Sequence, residues 1–187
     1  MPASTHRVEP LTEPPDAVVA VPGSKSITNR ALVCAALAGG ASTLRGIGLS
    51  DDTEAMLDAI ARLGADVRVD AAATTVLVVG TAGALRPGPI ELDARLAGTT
   101  SRFVTALAAL APGPVTIDGA APLRRRPMGP LHQALAELGV AVTAPTPGHL
   151  HACFYPAGTS EGEDALSRNR REGTTAAGRV LSQEDVA

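Results

Sequence analysis

With 187 residues, 45% of them hydrophobic and 19% charged, the chain is long enough to bury one substantial core or two small ones, and its composition is that of a globular protein. A net charge of −3 argues against a general binder of nucleic acid or anionic membrane, and no apolar run approaches the roughly 20 residues that span a bilayer. The opening residues lack a basic-then-apolar export pattern, and Cys34 and Cys153 sit in no metal or redox spacing, so free thiols in a reducing cytoplasm are expected.

In chain order, residues 17–21 predict a short apolar strand that ends at Pro22. Residues 26–38 have apolar side chains at helical spacing and stop at Gly39-Gly40. A strand is expected over 42–46. Ser50 then reads as the N-cap of a helix with Asp51, Asp52 and Glu54 in its first turn, where the helix dipole favours negative charge. That helix runs to Leu63 and ends at Gly64, and strands over 65–69 and 75–79 follow.

The pattern then restarts. A strand over 89–93, a helix over 98–110, a strand over 115–118, a helix over 127–138 opened by Pro127, and a strand over 140–143 are expected. Arg30 and Arg102 occupy matching places in the two first helices, and Leu63-Gly64 and Leu138-Gly139 match at the ends of the two second helices. The fold class is therefore α/β, built from two repeated βαβαββ units at 16–80 and 88–147, the second without a convincing last strand. Residues 148–187 hold six residues of the Val, Ile, Leu, Met and Phe type against ten charges, which predicts a disordered tail. Within it, His149 and His151 form a His-x-His pair with no third or fourth ligand nearby to complete a metal site.

Three segments carry chemistry. Fifteen of the sixteen basic residues are Arg; the one Lys is Lys25, in the run Pro22-Gly-Ser-Lys-Ser-Ile-Thr-Asn-Arg30 that joins a strand to a helix. Gly23 permits a tight turn and close backbone approach to a ligand. The helix opening presents free N–H groups and the positive end of the dipole. Lys25 adds a point charge, Ser26 a hydroxyl, and Arg30, one turn on, a fork suited to phosphate or carboxylate. The second segment, Leu96-Ala-Gly-Thr-Thr-Ser-Arg102, repeats this design with Gly98, Thr99 and Thr100 before Arg102. The third places Arg124, Arg125 and Arg126 just before a helix, an arrangement easier to understand if an anion binds between them.

Taken with Ser50-Asp-Asp-Thr, Ala97-Gly-Thr and Asp118-Gly followed by Arg126-Pro, these motifs resemble the 3-phosphoshikimate 1-carboxyvinyltransferase (EPSP synthase) family over residues 16–145. The resemblance implies part of the first domain of an inside-out α/β barrel. It implies transfer of the carboxyvinyl group of phosphoenolpyruvate to the 5-hydroxyl of shikimate 3-phosphate through a tetrahedral intermediate, with release of phosphate. No metal or organic cofactor is implied, and the resemblance implies a monomer that takes no nucleic acid or membrane as partner. By resemblance, Lys25, Ser26 and Arg30 bind shikimate 3-phosphate, and Lys25 also reaches phosphoenolpyruvate. Gly98 with Thr99, and Arg126, bind phosphoenolpyruvate, Arg102 lies near it, and Asp51 or Asp52 orients Lys25.

The related UDP-N-acetylglucosamine enolpyruvyl transferases carry Asn directly after the Lys, where this chain has Ser26. Two departures stand out: Leu96 replaces an Asn common in the family, and Phe103 replaces a Pro. The resemblance also implies that the catalytic general acid/base carboxylate belongs to a second domain outside these residues. The chain is therefore expected to be inactive alone. The alternative expectation is a non-catalytic phosphate-ligand-binding fragment needing a complementing domain. The first 15 residues are expected to belong with that other domain, and a shift of reading frame is the hypothesis for 148–187.

Overall fold

The computed structural model describes residues 10–171. The first unit comprises α1 (Lys25–Leu37), β1 (Ala41–Arg45), α2 (Asp51–Arg62), β2 (Asp66–Asp70) and β3 (Thr75–Val79). The strands form an antiparallel sheet of order β1-β3-β2, with Val76 and Val78 of the central strand turned inward and fully buried. α2 starts where its sequence says it should. The Ser50 side chain accepts from the Thr53 amide, and the Thr53 hydroxyl accepts from the Ser50 amide at 2.7 Å, a reciprocal capping box.

The second unit comprises β4 (Ile90–Asp93), α3 (Gly98–Ala108), β5 (Val115–Asp118), α4 (Ala121–Arg124), α5 (Gly129–Glu137), β6 (Ala141–Thr143), β7 (Ala152–Tyr155) and α6 (Ser160–Arg171). Its sheet has the order β4-β5-β7-β6, with β4 parallel to β5 and the other pairs antiparallel. The trio β5-β7-β6 repeats β1-β3-β2, so the two units share one plan. The three first helices lie together, α1 on α2 and α2 on α3, and make the interior face of both sheets. One apolar cluster runs through Leu32, Met56, Ile60, Val104, Ile117 and Phe154 without a break between units.

Four expectations need correction. Residues 17–21 form no strand: Val18 is fully exposed and Val19 and Val21 largely so, because no strand edge pairs with them among the described residues. The second unit does have its last strand, β7, five residues past the expected boundary at 147. The polar composition of 148–187 taken as a whole hid it, but a strand needs only alternate side chains inward, and here Ala152 and Phe154 supply them. Structure then continues through α6, with Ala165 buried, so the expected disorder does not begin at 148; residues 172–187 lie outside the described residues. Finally, α5 begins at Gly129 rather than Pro127. The Met128 amide donates to Gly148 O at 2.7 Å, which keeps 127–128 in a loop, and Pro130 takes the first-turn position instead.

Candidate functional site

Two helix N-termini open onto one cavity. α1 starts at Lys25 after Ser24, and α3 starts at Gly98 after Ala97; neither first turn holds an acidic residue, in contrast to the three in α2. The first amides of each helix have no intrahelical acceptor, so both helices present N–H groups and a positive dipole end there. The cavity has a volume of about 580 Å³. Four cations line it, Lys25, Arg30, Arg102 and Arg126, against one carboxylate, Asp52. Such an excess of positive charge over helix N-termini suits a ligand carrying several negative charges.

Each cation is held differently. Lys25 Nζ lies 2.6 Å from Asp52 Oδ2, which settles the choice between Asp51 and Asp52 as its partner. Arg30 donates to Ser26 O at 2.9 Å, and its guanidinium lies 5.8 Å from the centre of the Phe103 ring, a cation–π contact. Arg102 donates to Pro127 O at 3.2 Å and so ties α3 to the loop that carries Arg126. Arg126 in turn lies over Gly98: a Cβ added to Gly98 would sit 2.5 Å from Arg126 Nη1. Any larger residue at 98 would push that guanidinium aside.

Of the residues expected at the site, Lys25, Arg30, Gly98, Thr99, Arg102 and Arg126 share this cavity, whereas half-buried Ser26 does not line it. Gly23 has a different task from the one expected of it. Its backbone packs on that of Gly46 and Gly48, so the close approach is within the chain. The two departures, Leu96 and Phe103, both line the cavity, making its walls partly apolar. Behind the lining, buried Asn29 donates to Thr100 Oγ1 at 3.2 Å and Thr100 donates to Asp52 O at 2.8 Å, a chain linking α1, α3 and α2 directly beneath the site.

The three consecutive arginines separate. Arg124 forms a two-pronged pair with Asp118, at 2.7 Å from Nε and 2.5 Å from Nη2, Arg125 faces a neighbouring cavity, and only Arg126 reaches the cationic one. Burial works to raise the Asp118 carboxyl, but the Arg124 fork and the Gly119 amide hold it below its ordinary pKa. His151 Nδ1 lies 3.2 Å from the same carboxylate, and His149 faces Pro147 O. Among the described residues no group of three or more His, Cys, Asp or Glu could hold a metal ion, and no helix is long and apolar enough to cross a membrane.

Sequence reasoning missed Arg95. It lies between β4 and α3 and adopts a left-handed backbone (φ 51), which costs a non-glycine residue about 1 to 2 kcal/mol. Its guanidinium bonds three carboxylates on one stripe of α2: Asp51 at 2.8 Å, Glu54 at 3.0 Å and Asp58 at 2.7 Å. The hydrogen bonds it donates to Asp51 and Glu54 raise its pKa above the usual arginine value. The acidic spacing at 51, 54 and 58 was the one available signal, since it places three like charges on one helix face. Beyond Arg95 lies a second cavity of about 820 Å³, with five carboxylates and three arginines in its lining; Leu96 forms a wall common to both cavities.

Known proteins resemble this chain in sequence and in fold. The family model described as EPSP synthase (3-phosphoshikimate 1-carboxyvinyltransferase) matches residues 12–152. The 3-phosphoshikimate 1-carboxyvinyltransferase of Rhizobium leguminosarum bv. trifolii is 47% identical over 125 residues, covering 67% of this chain and 29% of that protein. That of Pseudomonas savastanoi pv. phaseolicola is 43% identical over 145 residues, covering 78% of this chain and 34% of the relative. The chain thus spans about a third of the length of the curated relatives it matches. In fold, an EPSP synthase structure from Acinetobacter baumannii matches 79% of this chain and 36% of its own, with a TM-score of 0.69 at 20% identity.

Proposed function

This chain belongs to the EPSP synthase family, and on that premise we propose that its cationic cavity is one wall of a site for shikimate 3-phosphate and phosphoenolpyruvate. The reaction served is transfer of the carboxyvinyl group of phosphoenolpyruvate to the 5-hydroxyl of shikimate 3-phosphate, with phosphate released. The observation that carries this reading is the meeting of Lys25, Arg30, Arg102 and Arg126 around one cavity at two helix N-termini. Both ligands are polyanions, so cations held in place before they arrive supply positioning and electrostatic stabilisation without reorganisation.

Lys25 and Arg30 take shikimate 3-phosphate in this reading, and Ser26, off the cavity wall, reaches it only if the α1 opening adjusts. Gly98, Thr99 and Arg126 take phosphoenolpyruvate, with Lys25 and Arg102 close to both. Gly98 matters by lacking a Cβ, because that space belongs to the Arg126 guanidinium. Leu96 and Phe103 line the cavity with apolar surface in place of the family's Asn and Pro, and they are expected to alter its response to small phosphonate competitors.

Asp52, the cavity's carboxylate, is engaged by Lys25 at 2.6 Å. What these residues offer is grip, with no unengaged carboxylate among the described lining residues to move a proton. We therefore expect the 187-residue polypeptide by itself to bind both ligands and turn over little. A complementing polypeptide that brings a general acid/base carboxylate would restore turnover.

Thermal denaturation with each ligand tests this directly. A ligand at 100 times its Kd adds about 2.7 kcal/mol to the stability of a one-site protein. The expected result is a rise in Tm with either ligand, lost in Lys25→Ala and Arg126→Ala, with no phosphate released. No shift with either ligand would overturn the binding reading, and release of phosphate by the chain alone would overturn the expectation of little turnover.

A further inference from the structure

We infer that Arg95 is a positioning residue for the cationic cavity, clamping α2 of the first unit to the turn that opens α3 of the second; the inference rests on the functional reading above. The cavity is assembled from both units. Lys25 belongs to α1 and its partner Asp52 to α2, whereas Gly98, Thr99 and Arg102 belong to α3. The binding geometry therefore depends on how firmly α2 is held against the 94–98 turn.

Arg95 holds that junction at both its side chain and its backbone. Its guanidinium spans Asp51, Glu54 and Asp58, two turns of α2, and Asp51 adjoins the Asp52 that carries Lys25. Its amide donates to Asp93 Oδ1 at 2.8 Å, and its carbonyl accepts from the Ala120 amide at 2.7 Å, at the start of the α4 segment that leads to Arg126. A single exposed ion pair contributes little, but here three carboxylates converge on one side chain that is 31% exposed. The left-handed backbone at Arg95 points the same way. Glycine would fit the turn without strain, and what arginine adds at that position is reach to α2.

Titrations of phosphoenolpyruvate and shikimate 3-phosphate against the full chain, each variant held well below its own midpoint, test the clamp. Arg95→Gln is expected to weaken both ligands roughly fivefold or more. Arg95→Gly, which keeps the turn and loses the side chain, is expected to weaken them equally. The decisive variant is Asp51→Asn/Glu54→Gln/Asp58→Asn, which leaves Arg95 in place. It removes three negative charges near an anion site, so electrostatics alone would tighten binding, whereas loss of the clamp loosens it. Looser binding supports the inference. Unchanged or tighter binding in the triple variant, or wild-type affinity in Arg95→Gly, overturns it. If the unsubstituted chain binds neither ligand, the functional reading fails and the clamp with it; if it binds and the variants match it, only the clamp is lost.

Discussion

The two units follow one plan, and besides the added helices α4 and α6 of the second they differ at one sheet edge. In the second, β4 lies parallel to β5 and closes a four-stranded sheet; in the first, the matching residues 17–21 stand clear of β1, and the sheet has three strands. The chain crosses itself at the same place in both. Gly23 packs on Gly48, and the Arg95 carbonyl lies where a Cβ on Gly119 would go. Residues 17–21 are apolar throughout, whereas 90–93 alternate apolar with acidic side chains, so local preference alone does not favour the stretch that became a strand. What separates them is pairing: Ile90 and Leu92 have a partner strand on one side and α2 below, whereas Val18 and Val19 have neither. Strand formation is a property of the edge on offer as much as of the segment that could fill it.

That contrast can be broken by mutation. The largest effect is expected at Phe154, fully buried on β7: Phe154→Ala should cost about 3 to 5 kcal/mol in urea denaturation. A loss under 1 kcal/mol would mean that the second sheet does not depend on the strand beyond residue 147. Next comes a matched pair. Ile90→Ala, with Ile90 8% exposed, should cost about 2 to 4 kcal/mol, and Val18→Ala less than about 0.5 kcal/mol. Equal losses at the two positions would show that residues 17–21 are paired in solution.

A further effect is a pH dependence carried by the second unit. His132 is 3% exposed, its Nε2 has no hydrogen-bond partner, and it meets Phe154 edge-on at 5.2 Å. Burial, with a lesser contribution from His149, pushes its pKa down from 6.5 to about 4. The unfolded chain therefore takes up the proton first as pH falls. The associated stability is complete above about pH 6.5, is lost progressively between 6.5 and 4, and amounts to about 3 kcal/mol. Urea midpoints at pH 7 and pH 4.5 measure it, and His132→Leu should flatten the difference. A wild-type midpoint that does not move between those values would contradict it.

Much of this was legible in the sequence because it is locally encoded. The 3.6-residue spacing in α1, α2 and α3, the Ser50 cap and the repeat that pairs Arg30 with Arg102 depend on neighbours a few residues away. So does the cationic character of the cavity, since both helix openings carry their own Lys or Arg. The parts that were not legible depend on distant partners. β7 shows only Ala152 and Phe154 as inward residues after a Pro- and Gly-rich stretch, and the register with β5 and β6 is what makes it a strand. Arg124 and Arg126 look alike in sequence, but Asp118 claims the first and leaves the second to the cavity. Arg95 belongs to no motif; its meaning lies in three carboxylates 37 to 44 positions away.

The Leu96 wall has a consequence for kinetics. On one side it faces four cations and one carboxylate, on the other five carboxylates and three arginines, so opposite potentials stand back to back across a single side chain. A dianion diffusing toward this surface is drawn to one face and repelled from the other. Capture is thereby directional, and its rate should fall as added salt shortens the Debye length to about 10 Å and less, towards the scale of the wall itself.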